Sequence, residues 1–494
     1  MRKYLLSVFL LISVELLAQA ASQQVNLFNI PNQSAHFIRM PARESSTEID
    51  AVYTNPAGLT KLENGFHLSV SNQFVRQKID LTSDYQYLNE IPTENEGYVR
   101  AYFFPGVFVA WKKNRLVLSA AALLAGGGGG ATFNNLPSAD MGMSDIPPVL
   151  KMSILDGLNN ALTNSAGYNP GYNEIEGYSF DFYSYGVAYS PGYQIGASYK
   201  FNDYISVALA GRYVNSTTRS EGFVKNIQIN VPQYGGYQNP ADYLRFVSQQ
   251  PGLNPTQSIL VNAAATLFDE QAADRDVDVV QKGQGITPII GIHSTPIEKL
   301  DIGIKYEHRT VISLKTIVRE GKDGGGQFTN GEVVRSDFPG YISAGVKYQF
   351  TKRILAAMGS RYFFSKMVDY GGREKDVNKN YFEVTSGVEY LLTEKTKLSG
   401  GYSYNHPNVD KNYQSEVDYQ IPGHTIALGG AYTINELITC NAGVLFTQFV
   451  KETNQYEHLF SNGVFESNMI PYNRTSAKNA LIFAVGVDLT FAQN

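Results

Sequence analysis

Residues 342–350 read ISAGVKYQF, and Ile342, Ala344, Val346, Tyr348 and Phe350 alternate there with Ser343, Gly345, Lys347 and Gln349. A period of two marks a strand whose two faces meet different surroundings. One face is aliphatic and aromatic; the other is small or charged. The same partition recurs on both sides of this stretch. Tyr193, Ile195, Ala197, Tyr199 and Phe201 alternate with Gln194, Gly196, Ser198 and Lys200, and Leu481, Phe483, Val485, Val487, Leu489 and Phe491 alternate with Ala484, Gly486, Asp488 and Thr490. Extending this reading gives strands at 65–76, 99–111, 115–128, 183–201, 204–218, 284–296, 300–316, 338–351, 353–368, 380–393, 396–406, 423–434, 437–451 and 479–492. That is fourteen, an even number, as single-chain bacterial barrels require.

A soluble sandwich also alternates, with its apolar face turned into a core. Two features favour an apolar face turned outward into lipid. The strands have the length of a tilted membrane strand. Aromatics also gather at strand ends, as at Tyr199 and Phe201, Tyr348 and Phe350, residues 362–364, and Tyr402 and Tyr404, where a membrane girdle belongs. Lipid offers the backbone no hydrogen-bond partner, so strands cross it only as a closed barrel. Turns such as Asn202-Asp203, residues 112–114 and Thr393-Glu394 are short, whereas the connections at 129–182 and 219–283 are long. Short turns at one end and long loops at the other are the outer-membrane pattern.

Composition agrees. Only 17% of the 494 residues are charged, against roughly 25% in soluble domains. A net charge of −5 leaves no basic footprint for nucleic acid. The single cysteine, Cys440, excludes an internal disulfide framework and a cysteine-based zinc site. At the start of the chain, Arg2 and Lys3 precede an apolar run over residues 4–17, and Ala18-Gln19-Ala20 follows as a small-x-small site. This predicts a signal peptide over residues 1–20. Beyond residue 20 no apolar run reaches the ~18–20 residues of a spanning helix.

Within the long loops, Leu150, Ile154, Leu158 and Leu162 fall at helical spacing, and Leu244, Val247, Ile259, Ala263 and Leu267 suggest two more apolar helix faces. Such faces need a partner. They either pack on one another or line a vestibule for an apolar ligand.

Residues 21–64 lack alternation and contain Asn55, Pro56, Ala57, Gly58 and Leu59. Pro56 fixes its own φ and biases Asn55 towards an extended conformation. Asn55 is suited to bond nearby backbone and Gly58 to a tight reversal, so the segment reads as a rigid turn. Here the chain resembles the FadL/TodX-type family of outer-membrane transporters for long-chain fatty acids and aromatic hydrocarbons. That family carries this five-residue motif in an N-terminal plug ahead of a fourteen-stranded barrel. The resemblance implies an all-β, 14-stranded antiparallel transmembrane β-barrel, with an N-terminal plug at 21–64, the barrel at 65–494 and short loop helices. It also implies that the motif sits in the lumen and helps hold the plug.

Gly126, Gly127, Gly128, Gly129 and Gly130 stand at the end of the third strand. Glycine inside a strand weakens the ladder and marks a bend or bulge. No Gly-Lys-Ser/Thr follows, so this is not a Walker phosphate loop. The resembled family has a third strand that kinks inward and opens the barrel wall, which makes these glycines the expected lateral opening into the bilayer. By parity the lumen receives Lys305, Glu307, Arg309, Lys347, Arg361, Glu383, Glu389 and Asp488, since a charge facing lipid costs a few kcal/mol. These either pair with one another and with the plug, or present Arg309 or Arg361 to a carboxylate head group.

The seven histidines are scattered, and neither a GxSxG elbow nor HExxH occurs. A His–Ser pair formed across strands is invisible to sequence, and His67 beside Ser69 and Ser71 is the sort of place to look for one. The expected function is passive transport of hydrophobic small molecules across the outer membrane of a Gram-negative bacterium, without cofactor, metal or catalysis. The expected partners are an apolar ligand and membrane lipid, and the expected state is a monomer. A nonspecific porin and an outer-membrane lipid-modifying enzyme are the alternatives. One departure from the common barrel ending is that Phe491 is followed by Ala492-Gln493-Asn494.

Overall fold

The computed structural model describes residues 32–461 and 467–492, so the expected signal segment and the last two residues lie outside it. Fourteen strands build the wall: β1 (Gly65–Ser83), β2 (Thr93–Lys113), β3 (Leu116–Phe133), β4 (Gly177–Lys200), β5 (Ile205–Val231), β6 (Arg275–Ile297), β7 (Leu300–Glu307), β8 (Tyr341–Gln349), β9 (Ile354–Phe363), β10 (Tyr381–Leu391), β11 (Thr396–His406), β12 (Gly423–Thr433), β13 (Ile438–Phe449) and β14 (Ser467–Ala492). Each pairs antiparallel with the next. β1 pairs with β14 from Gly65↔Ala492 to Ser83↔Arg474, which closes the cylinder. All fourteen strands expected from the alternation fall on these.

The apolar face points outward. Ile195 is 72% exposed and Leu428 58%, while Gln194 and Ser198, one residue from Ile195 and Ala197, are buried inside. Only lipid accepts a continuous band of such side chains. On β10 the outward aromatics Phe382 and Tyr390 stand eight positions apart, which at ~3.4 Å per residue and ~40° of tilt spans about 20 Å of height. That matches the apolar band of an outer-membrane barrel, ~25 Å tall. Among the described residues no helix is long and apolar enough to cross a membrane; the strands do so.

The six connections at residues 114–115, 201–204, 298–299, 350–353, 392–395 and 434–437 are short, and Gly65 and Ala492 lie at the same end. The other seven connections are longer and gather at the opposite end. Strands β3 to β6 rise beyond the lipid band, so the two longest loops are 134–176 and 232–274, shorter than the expected 129–182 and 219–283. Four short strands extend the wall there: Gly236–Gln238 on β5, Ser313–Asp323 on β6, Val333–Arg335 on Ser313–Asp323, and Glu452–Ser461 on β14.

The expected strand 300–316 breaks after Glu307. The last β6–β7 pair is Ile289↔Glu307, so the next residue, His308, faces Pro288. Proline has no N–H to continue the ladder. The chain leaves β6 there, makes an isolated bridge between Thr310 and Phe338, and rejoins β6 at Lys315, opposite Lys282.

The loop helices pack on one another and on the strand ends. Leu150, Leu158, Leu162, Leu244 and Val247 are buried in one cluster. The buried face of Pro255–Gln271 is Val261, Ala265 and Phe268, whereas Ile259 and Ala263 point away. The buried face is displaced by one to two residues from the expected one, with Val261, Ala265 and Phe268 in place of Ile259, Ala263 and Leu267.

Residues 32–64 lie against the inner wall, and glycines make room for them. Gly303, Gly345 and Gly359 are ladder partners, as are Gly387 with Gly401 and Gly429 with Gly443. A Cβ on Gly303 would overlap the Glu44 carbonyl, one on Gly401 would stand 2.5 Å from Pro41, and one on Gly443 would stand 2.8 Å from the Arg39 nitrogen. Barrel and segment approach backbone to backbone along this belt. That is why the inward parity of β7 to β13 is rich in glycine.

Candidate functional site

Above the luminal segment lies a cavity of about 280 Å³. The segment contributes Asn32, Phe37 and Ile38, and the loop before β12 contributes Val417, Asp418 and Tyr419. Most of the wall is apolar, with Val75, Ile79, Ala131, Phe449 and Ile482; Arg361, Glu383, Asp418 and Lys478 are its charged groups.

One side of this cavity is a broken wall. β2 and β3 pair from Lys113↔Leu116 to Val107↔Ala122 and again from Arg100↔Gly130, but not between. The cause lies in the glycine run. Against β4, the register of β3 slips twice, between Leu124 and Gly126 and between Gly127 and Gly129. Gly127 has φ +76° and Gly129 φ +150°, a region that side-chain-bearing residues rarely occupy. The strand therefore bulges and leaves its β2 neighbour. Outside the break is a groove of about 440 Å³ lined by Phe103, Pro105, Leu124, Tyr189 and Tyr193, and Phe104 and Gly129 line both spaces.

Two side chains satisfy the backbone that the break exposes. Asn72 Oδ1 accepts from Phe104 N at 2.9 Å. Gln33 Nε2 donates to Leu124 O and Gln33 Oε1 accepts from Leu124 N, each at 3.1 Å. Gln33 thus does for β3 what a neighbouring strand would do, and it ties the luminal segment to the edge of the break.

The sequence-predicted charges fall into separate clusters. Glu307 receives Arg212 at 2.9 Å and Lys305 at 2.6 Å. Arg361 lies between Glu44 at 2.9 Å and Glu383 at 3.2 Å. Lys347 meets Asp301 at 3.2 Å and Thr47 at 2.6 Å. Glu389 pairs with Arg39, and Asp488 with His36 at 2.9 Å. Arg309 does not belong here. It is exposed and donates to Met367 O, because the ladder has already ended at Pro288.

The luminal segment supplies the partners that alternation could not reveal. Arg43 binds Asp50 and Glu48, each at 2.7 Å, and Lys397 reaches Glu48 at 2.6 Å. His36, Glu48 and Asp50 bring ligand atoms within 4.8 Å of one another, but Arg39 and Arg43 already fill the place of a cation. Burial pushes the Glu48 carboxyl up, and Lys397, Arg43 and Arg39 outweigh that and hold it well below the usual range.

The motif residues anchor the other end of the segment. Asn55 Nδ2 donates to Ile292 O at 2.9 Å, and Asn55 Oδ1 accepts from Ala57 N at 3.2 Å. Pro56 opens a 3₁₀ turn, Pro56–Lys61, and its carbonyl accepts from Ser198 at 2.7 Å. Ala57 and Leu59 are fully buried. A Cβ on Gly58 would overlap the Ser46 carbonyl. His67 is not paired with a serine: its Nε2 meets Glu63 O at 2.9 Å and its Nδ1 faces Thr490.

No protein-family model matches the chain, and no curated protein matches it. Solved structures do. A FadL homologue from Pseudomonas aeruginosa is similar over 93% of this chain and 98% of its own, with a TM-score of 0.60 at 12% identity. The chain has the FadL-type barrel fold. The toluene transporter TodX of P. putida is similar over 91% of this chain and 95% of its own, with a TM-score of 0.52 at 13% identity. At these identities the likeness is one of architecture: a closed, outer-membrane-type barrel of fourteen strands. The two similar proteins are named as a FadL homologue and a transporter, not as enzymes.

His36 makes the attachment of the segment depend on pH. Burial lowers its pKa, but Asp488 and Glu48 outweigh burial and raise it to about 9. A free histidine titrates near 6.5. The charged latch therefore contributes fully below about pH 6.5 and is lost as pH rises through about 9. Protease cleavage within residues 32–64 of the purified barrel should rise across that window, and His36→Gln should flatten the profile. A rise confined to lower pH would contradict the assignment.

Proposed function

We propose that this chain is a passive transporter of hydrophobic small molecules across the outer membrane of a Gram-negative bacterium. The observation that carries the reading is the shared wall of Phe104 and Gly129, with an apolar cavity inside and an apolar groove outside the same break in the ladder. Residues 32–64 act as the plug, and the break between β2 and β3 is the lateral opening. A molecule held against the plug leaves sideways into lipid, so it never crosses the polar bore. Gln33 couples the two, because displacing the plug frees Leu124. Fatty acids and related apolar compounds are the cargo class, in keeping with the FadL and toluene-transporter names of the similar structures.

A nonspecific porin needs an open aqueous bore, and here ion pairs and backbone contacts fill it. A lipid-modifying enzyme needs an activated nucleophile, and His67 serves backbone instead. The reading takes the chain as a monomer without cofactor. In proteoliposomes, a labelled long-chain fatty acid should enter much faster than with empty liposomes, while sugar-driven swelling stays at the empty-liposome rate. Fast sugar flux would overturn the proposal in favour of a porin.

A further inference from the structure

The outer face of β1 and β2 carries two charges that oppose each other across the ladder. Phe66 pairs with Phe491 and Phe74 with Phe483 between β1 and β14, with ring centres 6.0 Å and 6.1 Å apart. These two outward aromatic pairs stand eight positions apart, about 20 Å of height, and mark the two borders of the lipid band. The short connections lie at the Phe66 end, so Phe74 marks the border of the outer leaflet. Arg76 is the next outward residue above it. It pairs directly with Arg100 on β2, and both side chains are exposed. Positions directly opposite bring Cβ atoms to within about 5.5 Å, and like charges there destabilise a sheet. The carboxylates above give no relief, because Lys78 takes Asp80 at 2.8 Å and Glu96 at 2.6 Å. Among the described residues neither guanidinium has an ion-pair or hydrogen-bond partner, and Arg100 stands 5.7 Å from the Tyr98 ring centre.

An apolar groove begins at the same place. Arg100 is the last β2 residue paired with β3 before the break. Beside it, Ala101 and Phe103 line the groove on the lipid side of the wall, together with Pro105, Tyr189 and Tyr193. Tyr102 is 71% exposed and Phe103 77%. β2 runs from Arg100 down to the short connection after Lys113, so the groove descends from the two arginines into the lipid band.

We propose that Arg76 and Arg100 form a binding site for an outer-leaflet lipid with a phosphate monoester on its head group, and that an acyl chain of this lipid lies in the groove. A phosphate monoester carries about −1.5 to −2 charges at pH 7, which two guanidinium groups balance, and the guanidinium fork fits phosphate oxygens bidentately. A carboxylate neutralises only one of the two. The seated lipid covers the outside of the break between β2 and β3. The site does not depend on the transport reading, which concerns what leaves through that break rather than what the wall binds from the membrane.

The test uses the purified full-length barrel in detergent, with native mass spectrometry of bound dipalmitoyl phosphatidic acid and of dipalmitoylglycerol, which has the same chains and no phosphate. The wild type should hold the phosphatidic acid on the order of tenfold or more tightly, as charge-assisted hydrogen bonds imply. Arg76→Gln with Arg100→Gln should lose that preference, and Arg76→Lys with Arg100→Lys should keep most of it, which separates loss of charge from loss of fold. Lys352→Gln with Arg353→Gln removes as much charge from exposed positions at the opposite end and should leave the preference unchanged. Inorganic phosphate at the same concentration should not displace the phosphatidic acid, because it leaves the groove empty. Equal binding of the two lipids by the wild type overturns the site. So does a preference that survives both glutamine substitutions at Arg76 and Arg100, or one lost equally on substitution of Lys352 and Arg353. Displacement by inorganic phosphate overturns the lipid in favour of a free anion. None of these outcomes bears on fatty-acid uptake or sugar exclusion, by which the transport reading is tested.

Discussion

Replacing Gly303 and Gly443 by valine should unseat the luminal segment and leave the barrel intact. Valine suits a strand better than glycine does, so the wall itself gains. The cost falls on the luminal segment. A Cβ at Gly303 would overlap the Glu44 carbonyl, and one at Gly443 would stand 2.8 Å and 2.9 Å from Arg39 backbone atoms. These are backbone contacts that no rotamer relieves. Overpacking of this kind costs about 1–3 kcal/mol per site. The two sites lie on β7 and β13, far apart in the ring, so the effects should nearly add. A displaced segment separates Arg39 from Glu389 and His36 from Asp488, and that loss falls on the displaced state and opposes release. The two overpacked sites raise the seated state by about 2–6 kcal/mol and shift the balance towards release. The double variant should still migrate as a folded, heat-modifiable barrel, and small-sugar flux in liposomes should rise on the order of tenfold or more. A folded double variant that stays sealed to sugars would mean that something other than this belt holds the segment.

The same glycines explain how much of the molecule was legible in its sequence. In β8 the outward set Ile342, Val346 and Tyr348 and the inward set Ser343, Gly345 and Lys347 state both the period and its sense, because lipid and a filled bore make opposite demands on alternate residues. Where both demands act together, the strand readings agree with the structure, and Lys305, Glu307 and Glu389 are buried there. Where one demand ceases, the reading drifts. Arg309 keeps the parity of Glu307, but parity ends where Pro288 offers no N–H. Lys478 escaped notice because the expected last strand began at residue 479. β14 runs upward to Ser467 beside the strand Glu452–Ser461, beyond the lipid that imposes alternation. His36, Arg39, Arg43 and Glu48 lie in a segment with no periodicity at all, and only three-dimensional proximity reveals their partners. The helix Pro255–Gln271 offers apolar residues on more than one face, so spacing alone could not choose Phe268 over Leu267.

Writing valine, threonine and valine at Gly127, Gly128 and Gly129 should close the wall and stop uptake. Both ends of this stretch need a backbone that glycine tolerates and valine does not, with φ +76° at Gly127 and +150° at Gly129. A Cβ at Gly127 would overlap the Ala188 carbonyl, and one at Gly129 would come within 2.6 Å of Val99. Holding a side-chain-bearing residue in such a conformation costs about 1–3 kcal/mol each. The bulged state is therefore penalised twice, and β-branched residues favour the extended strand that replaces it. A straightened β3 lies alongside residues 101–106 of β2 and takes over the backbone groups there that no strand pairs now, Pro105 having no N–H to offer. Phe104 then has no gap to line, and Gln33 loses the Leu124 groups that it now satisfies. If apolar cargo leaves sideways, uptake of a labelled fatty acid into proteoliposomes should fall on the order of tenfold or more, in step with the lost population of the open wall. Binding in the cavity should survive, since Phe449, Tyr419 and Ile482 of its wall are untouched, and retained binding would separate a closed exit from a misfolded barrel. Uptake at the wild-type rate through a demonstrably folded variant would place the exit elsewhere, with the bore past the plug as the remaining route.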